Sequence, residues 1–216
     1  METLAPTRII DERFGVNTYI ISASGHAFII DPVLNPKLKE SIEGISIDFS
    51  ILTHEHYDHI YSVNELKAEY GIPVFCGESA KNGLMDPAVN MSRYVDFLKQ
   101  YIPFGTGEVD SCDYSCGADR LLKNGEMIVW QGHKLFIKET PGHSKGSICI
   151  MLNDQYLFSG DTIFKEYPTA TRMPGGSTKA FKNITEPWLD SLPQDIMVYP
   201  GHTEPFMLSE RYNTNH

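Results

Sequence analysis

The chain has 216 residues, a formal net charge of −10, and 41% apolar and 11% aromatic side chains, enough for a packed α/β core. The acidic balance argues against a nucleic-acid backbone or an anionic membrane as the main partner. No apolar run approaches membrane-spanning length, Met1 to Phe14 lacks a signal-peptide pattern, and the 4 cysteines read as free thiols, so the expectation is a soluble cytoplasmic protein.

Arg8 to Phe14, Thr18 to Ala23 and His26 to Ile30 read as successive strands, with turns at Gly15-Val16-Asn17 and Ser24-Gly25. Asp31-Pro32 follows the third strand. Its carboxylate serves either to form the turn or to orient a metal-bound histidine. Asn35 caps a short helix with Pro36 in its first turn, and Gly44 ends it. Ile45 to Leu52 is a buried strand. Ile60, Val63, Leu66 and Tyr70 then recur at helical spacing until Gly71 and Pro73, and Pro73 to Cys76 forms a short strand. Such a strand, loop, helix, strand unit implies a right-handed crossover and parallel pairing, with ligands outside the carboxyl ends of the strands.

Met91, Tyr94, Val95, Leu98 and Ile102 form a second helical stripe, and Pro103 to Gly117 reads as a long surface loop. Cys112 and Cys116 in that loop are read as two thiols, with a separate metal or redox site as the alternative. Met127 to Trp130 and Lys134 to Glu139 resume strand character around a turn near Gln131-Gly132. Ser147 to Leu152 and Tyr156 to Phe158 form a hairpin about Asn153-Asp154. The last helix carries Phe181, Ile184 and Trp188, with Pro187 kinking or splitting it, and Ile196 to Tyr199 is the final strand.

The chemistry concentrates between the buried strand and its helix, in Thr53-His54-Glu55-His56-Tyr57-Asp58-His59. Alternation along extended backbone turns His54, His56 and Asp58 to one side, and His59 at the helix start can point back into the same pocket. Imidazoles with a carboxylate suit zinc or iron better than magnesium. His143, Asp161 and His202 each follow a strand directly and lie beside a glycine, so seven residues are expected to converge. His26, His133 and His216 lack that setting and are assigned no role.

At these residues the chain resembles the metallo-β-lactamase superfamily: the His-x-His-x-Asp-His signature at His54 to His59, then His143 in Pro-Gly-His-Ser, Asp161 in Gly-Asp-Thr and His202 in Pro-Gly-His. The likeness covers nearly the whole chain. It implies one domain over residues 1–216, a four-layer αβ/βα sandwich with two mixed sheets, and a site at one edge. It also implies that His54, His56 and His143 hold one metal, that Asp58, His59 and His202 hold a second, and that Asp161 bridges them.

Gly160 to Phe164 looks most like the glyoxalase II branch, which hydrolyses glutathione thioesters. The sequence ends at His216, without that branch's helical C-terminal domain. Thr169 to Met173 also stands where many relatives carry Gly-Arg-Thr-Asp. The resemblance therefore implies a short single-domain form with two divalent metal ions, zinc first, with iron or manganese as alternatives. The expected reaction is attack of a metal-activated hydroxide on a small ester or thioester, with Asp58 orienting the hydroxide. Lys165 and Arg172 are the candidate anchors for a substrate carboxylate. The alternatives are a mononuclear iron persulfide dioxygenase, a nuclease, which the acidic balance disfavours, and a non-catalytic metal-binding regulatory module.

Overall fold

A computed structural model describes residues 4–98, 105 and 111–212. The strands are β1 (Thr7–Ile10), β2 (Asn17–Ala23), β3 (His26–Ile30), β4 (Ser46–Leu52), β5 (Val74–Gly77), β6 (Arg120–Leu122), β7 (Met127–Trp130), β8 (His133–Glu139), β9 (Ile148–Leu152), β10 (Tyr156–Gly160), β11 (Met197–Pro200) and β12 (Phe206–Met207). The α-helical segments are α1 (Pro36–Ser41), α2 (Tyr57–Ile60), α3 (Val63–Tyr70), α4 (Lys81–Leu84), α5 (Val95–Leu98), α6 (Thr178–Ala180) and α7 (Glu186–Ser191).

One sheet runs β1-β2-β3-β4-β5-β6 and the other β12-β11-β10-β9-β8-β7. Both are mixed. β3, β4, β5 and β6 pair in parallel in the first, and β10 with β11 in the second. The expected αβ/βα sandwich is the observed fold.

Period-2 alternation explains the layers. Phe28 and Ile30 of β3 face the inter-sheet core with Tyr19, Ile51, Ile150 and Phe158. Their neighbours Ala27 and Ile29 face outward, onto Leu38 and Ile42 at α1. Across the sandwich, Ile148, Ile150 and Leu152 of β9 point in, while Cys149 and Met151 point out toward Leu189 of α7. Strands buried on both faces are continuously apolar, which is why β3 and β9 carry no polar alternation.

Several elements differ from expectation. β1 stops at Ile10 because the Asp11 carboxylate accepts the backbone N–H groups of Arg13 and Phe14, turning the chain. The helix after the histidine motif is broken at Tyr61-Ser62 into α2 and α3. The second stripe yields only a 3₁₀ turn, Ser92–Tyr94, and α5, while Ile102 and part of the Pro103 to Gly117 loop lie outside the described residues. The sequence reading omitted β6, α4 and β12. Their runs of two to four residues are too short for periodicity to register. In the last helix, Phe181–Thr185 is a π-helical turn and α7 restarts at Glu186 with Pro187 in its first turn, so the helix is split next to the residue that lacks a backbone N–H. Asn35 does cap α1, accepting from Leu38 N at 2.9 Å.

Candidate metal centre

Parallel direction brings the motif together. Asp31 follows β3 and His54 follows β4, and these strands run parallel. Asp161 follows β10 and His202 follows β11, again a parallel pair. β8 runs with β10 because each is antiparallel to β9, so His143 emerges at the same edge. Cross-sheet hydrogen bonds clamp that edge: Asn17 N donates to Gly201 O at 2.7 Å, Tyr19 Oη to Pro200 O at 2.7 Å, and Ile148 N to Thr53 O at 2.8 Å.

Three overlapping groups have ligand atoms mutually within 4.8 Å: His54, His56 and His143; His54, His59 and Asp161; and Asp58, His59 and His202. Asp161 Oδ2 stands 3.6 Å from both His143 Nε2 and His202 Nε2, and its Oδ1 is 3.4 Å from His59 Nε2. Asp58 Oδ2 is 3.3 Å from His202 Nε2. All seven candidate ligands are therefore neighbours, and His54, His56, His59, His143 and His202 are buried.

The outer ring nitrogens fix which nitrogens face inward. His59 Nδ1 lies 2.8 Å from Asp31 Oδ2, His143 Nδ1 3.0 Å from Ala170 O, and His202 Nδ1 3.1 Å from Gly15 O. Each acceptor requires a proton on Nδ1, which leaves Nε2 as the nitrogen turned to the centre. His54 reaches the same state through a relay. Thr53 Oγ1 donates to Asp31 Oδ2 at 2.6 Å, so at 3.1 Å from His54 Nδ1 it acts as acceptor. His54 Nε2 is then buried with no hydrogen-bond partner, an expensive arrangement that a bound cation relieves. His143 Nε2 and His56 Nδ1 face each other at 2.8 Å, so two nitrogen donors aim at one spot.

Electrostatics divides the cluster. Burial, reinforced by the neighbouring His59, His56 and His143 rings, pushes His54 well below the ordinary imidazole value. Burial also lowers His56, and it takes His143 down to about 4. These rings are neutral at pH 7, as metal ligation requires. Burial likewise opposes charge on His59 and His202, but there the carboxylates win. Asp58, Asp31 and Asp161 raise His59 well above its usual value, and Asp161 and Asp58 raise His202. Against burial, His59 and His202 hold Asp58 down to about 2, and His202 and His59 keep Asp161 well below the carboxylate range. The donor set is nitrogen with carboxylate oxygen, which fits zinc, iron or manganese.

Two glycines are required by this crowding. A Cβ on Gly201 would strike Asp161 Oδ1 and His59 Cε1, and one on Gly160, at φ +48°, would strike Thr53 Oγ1.

The two expected substrate anchors, Lys165 and Arg172, sit in different settings. Lys165 is engaged by Glu210 at 2.7 Å. Arg172 is exposed, two residues from Ala170, whose carbonyl holds His143. Cys112 donates to Tyr57 Oη at 3.5 Å, while Cys116 is packed into an apolar cluster with Leu84 and Cys76. No group of potential ligands among the described residues includes either thiol. Of the histidines given no role, His26 pairs with Asp48, His133 with Asn153, and His216 lies outside the described residues.

Two contributors were missed by sequence reading: Thr53, the relay, and Glu55. Alternation puts Glu55 on the face opposite His54 and His56, pointing into the protein. Its carboxylate accepts from Ser144 Oγ at 2.7 Å and Gly146 N at 3.2 Å, tying the histidine motif to the loop that carries His143.

The profile of the metallo-beta-lactamase superfamily matches residues 11–202. The chain belongs to the metallo-beta-lactamase superfamily. Among superfamily relatives, a probable metallo-hydrolase of Bacillus subtilis, YqgX, is 29% identical over 86% of this chain and 84% of its own length. A probable polyketide biosynthesis zinc-dependent hydrolase of Bacillus velezensis, BaeB, is 25% identical over 86% of this chain and 72% of its own. The crystal structure of the B3 metallo-beta-lactamase BLEG-1 superimposes with a TM-score of 0.76 at 26% identity, covering 95% of each chain. Among the described residues no helix is long and apolar enough to cross a membrane.

Proposed function

We propose that this chain is a binuclear metal-dependent hydrolase that cleaves a small thioester or ester, in the manner of the glyoxalase II branch. One observation carries the reading: the ligand groups overlap, so that His54, His56 and His143 on one side and Asp58, His59 and His202 on the other meet at Asp161. These two sets would hold the ions, with zinc, iron or manganese as candidates. Bound there, divalent ions supply Lewis acidity and a water whose pKa falls to about 7.

The chain's own residues do the rest. Asp58 is held ionised, and its side chain is 13% exposed, so it can accept a hydrogen bond from the attacking water and orient it. Asp31, Thr53, Gly15 and Ala170 lock ring orientations, so the donor geometry precedes substrate. Arg172 reads a substrate carboxylate from the loop beside His143. Lys165 would have to leave Glu210 to do the same. No serine or cysteine nucleophile is required.

The test is elemental analysis at metal saturation together with strictly anaerobic assays on anionic and neutral thioesters. Two ions per chain are expected, with His54→Ala and Asp58→Ala each retaining one. Turnover should persist without oxygen, and Arg172→Met should raise KM about tenfold on the anionic thioester alone. One ion at saturation, or an oxygen requirement, would favour a mononuclear oxygenase instead.

A further inference from the structure

Of the three side chains that would hold the first ion, His54 and His56 come from one loop and His143 from another. His143 Nε2 nonetheless meets His56 Nδ1 at 2.8 Å, so two loops distant in sequence are held in close register. A backbone link from Ile148 N to Thr53 O, at 2.8 Å, fixes the far end of the His143 loop. Beside His143 itself the link is a side chain, that of Glu55.

The Glu55 carboxylate takes one donor on each oxygen, and both come from the His143 loop: Ser144 Oγ on Oε2 at 2.7 Å and Gly146 N on Oε1 at 3.2 Å. Ser144 Oγ is braced in turn by Ser147 Oγ at 2.9 Å, which also accepts from Ser144 N at 3.1 Å. Gly83 and Gly146 press on the group so closely that a Cβ would stand 2.6 Å from Glu55 Cγ on the first and 2.4 Å from Oε2 on the second. Gly175 adjoins it as well, with a Cβ position 3.6 Å from Oε1, and follows Ala170, whose carbonyl holds His143 Nδ1. The segments that place His143 therefore meet at this carboxylate. Glu55 is buried, and its donors are an uncharged hydroxyl and an amide, so its desolvation is unfavourable. A carboxylate offers two acceptors to these two donors, which offsets that cost.

We propose that Glu55 is a positioning residue for the ion at His54, His56 and His143, clamping the His143 loop to the histidine motif so that His143 Nε2 is set in place before an ion arrives. This role, which rests on those three residues holding an ion, needs the hydrogen bonds of Glu55 and not its charge. Glu55→Gln keeps both links: the amide oxygen accepts from Gly146 N, and the amide nitrogen donates to Ser144 Oγ, whose own proton turns to Ser147 Oγ. Glu55→Asp is one methylene short of both donors, and Glu55→Ala offers them no acceptor.

Chelator competition on the intact, zinc-loaded protein tests this, one ion at a time. In an Asp58→Ala background, which should leave the ion at His54, His56 and His143, Glu55→Ala and Glu55→Asp should each weaken binding by about tenfold or more. Glu55→Gln should leave that affinity unchanged. In a His54→Ala background, which should leave the other ion, none of the three substitutions should alter the affinity. Should Glu55→Ala fail to fold, Ser144→Ala, which deletes one hydroxyl, should weaken the same ion in the same direction. Equal weakening of both ions, a loss in Glu55→Gln as large as in Glu55→Ala, or no loss in any folded variant overturns the proposal. If wild type takes a single ion, the binuclear reading fails alone, and the contrast between Glu55→Ala and Glu55→Gln on that ion still decides the role of Glu55.

Discussion

Asp31 organises the centre although it is not among the candidate ligands. It sits at φ +48°, a conformation uncommon for a residue with a side chain, and turns its carboxylate back to Thr53 N, Thr53 Oγ1 and His59 Nδ1. Replacing it with asparagine removes a charge and puts a donor amide among three donors. Asp31→Asn should therefore weaken the ion at Asp58, His59 and His202 by about 10–100-fold while leaving the other more nearly intact. Competition against a chelator, titrated one ion at a time, measures this. Equal weakening of both ions would mean that the Thr53 relay from Asp31 to His54 matters as much as the direct contact with His59. At this scale the candidate ligands were legible, because dense histidine and aspartate beside glycine has few other uses. The role of Asp31 stayed open between turn and support, since both put an aspartate after a buried strand. Glu55 was overlooked because burying a carboxylate is unfavourable until Ser144 and Gly146, some ninety residues away, supply its hydrogen bonds.

At the level of elements, tight turns were the most readable feature. Asn153 and Asp154 both have positive φ, at 52° and 57°, as do Ser24 with Gly25 and Gln131 with Gly132, and such pairs match the twist of hairpin strands. Irregularities were less readable. The pairing of β3 with β4 slips between Ala27 and Phe28, leaving Asp48 between the residues that oppose them. Asp48 bridges the sheets, accepting from Trp130 Nε1 at 2.7 Å and contacting His26 Nδ1 at 2.9 Å. Burial disfavours its charge, but His26 and Trp130 outweigh that and depress its pKa. A depressed carboxylate contributes stability above its unfolded pKa of about 3.9 and loses it as pH falls through the lower folded value. Asp48→Asn should thus cost about 1 kcal/mol at pH 7, discounted for the exposed His26. The gap from wild type should close in acid. Denaturant melts at pH 7 and in acid test the sign, and a gap that persists in acid would assign the cost to packing.

For the whole molecule, the centre sits where the two sheets meet, so metal and fold are linked. An ion that binds only the folded chain adds about 4 kcal/mol at a thousandfold excess over its Kd. At about 2–4 °C per kcal/mol for a protein of this size, chelation should lower Tm by about 8–16 °C per ion. Scanning calorimetry with and without chelator reads this directly, and an unchanged Tm would mean that no ion had been bound. By itself, the sequence pointed to the layered sandwich through its ordered ligand motifs, from His54 to His59 and then His143, Asp161 and His202, and the superfamily they resemble. It also determined which residue types stand at the strand ends. Only the tertiary structure decided that β3, β4, β8, β10 and β11 discharge at one edge, and which ring nitrogen each histidine turns inward. It likewise decided that Lys165 is engaged by Glu210 while Arg172 stays exposed. Those outcomes depend on strand direction and on acceptors such as Gly15 O and Ala170 O, backbone groups that every residue carries and no side-chain pattern reveals.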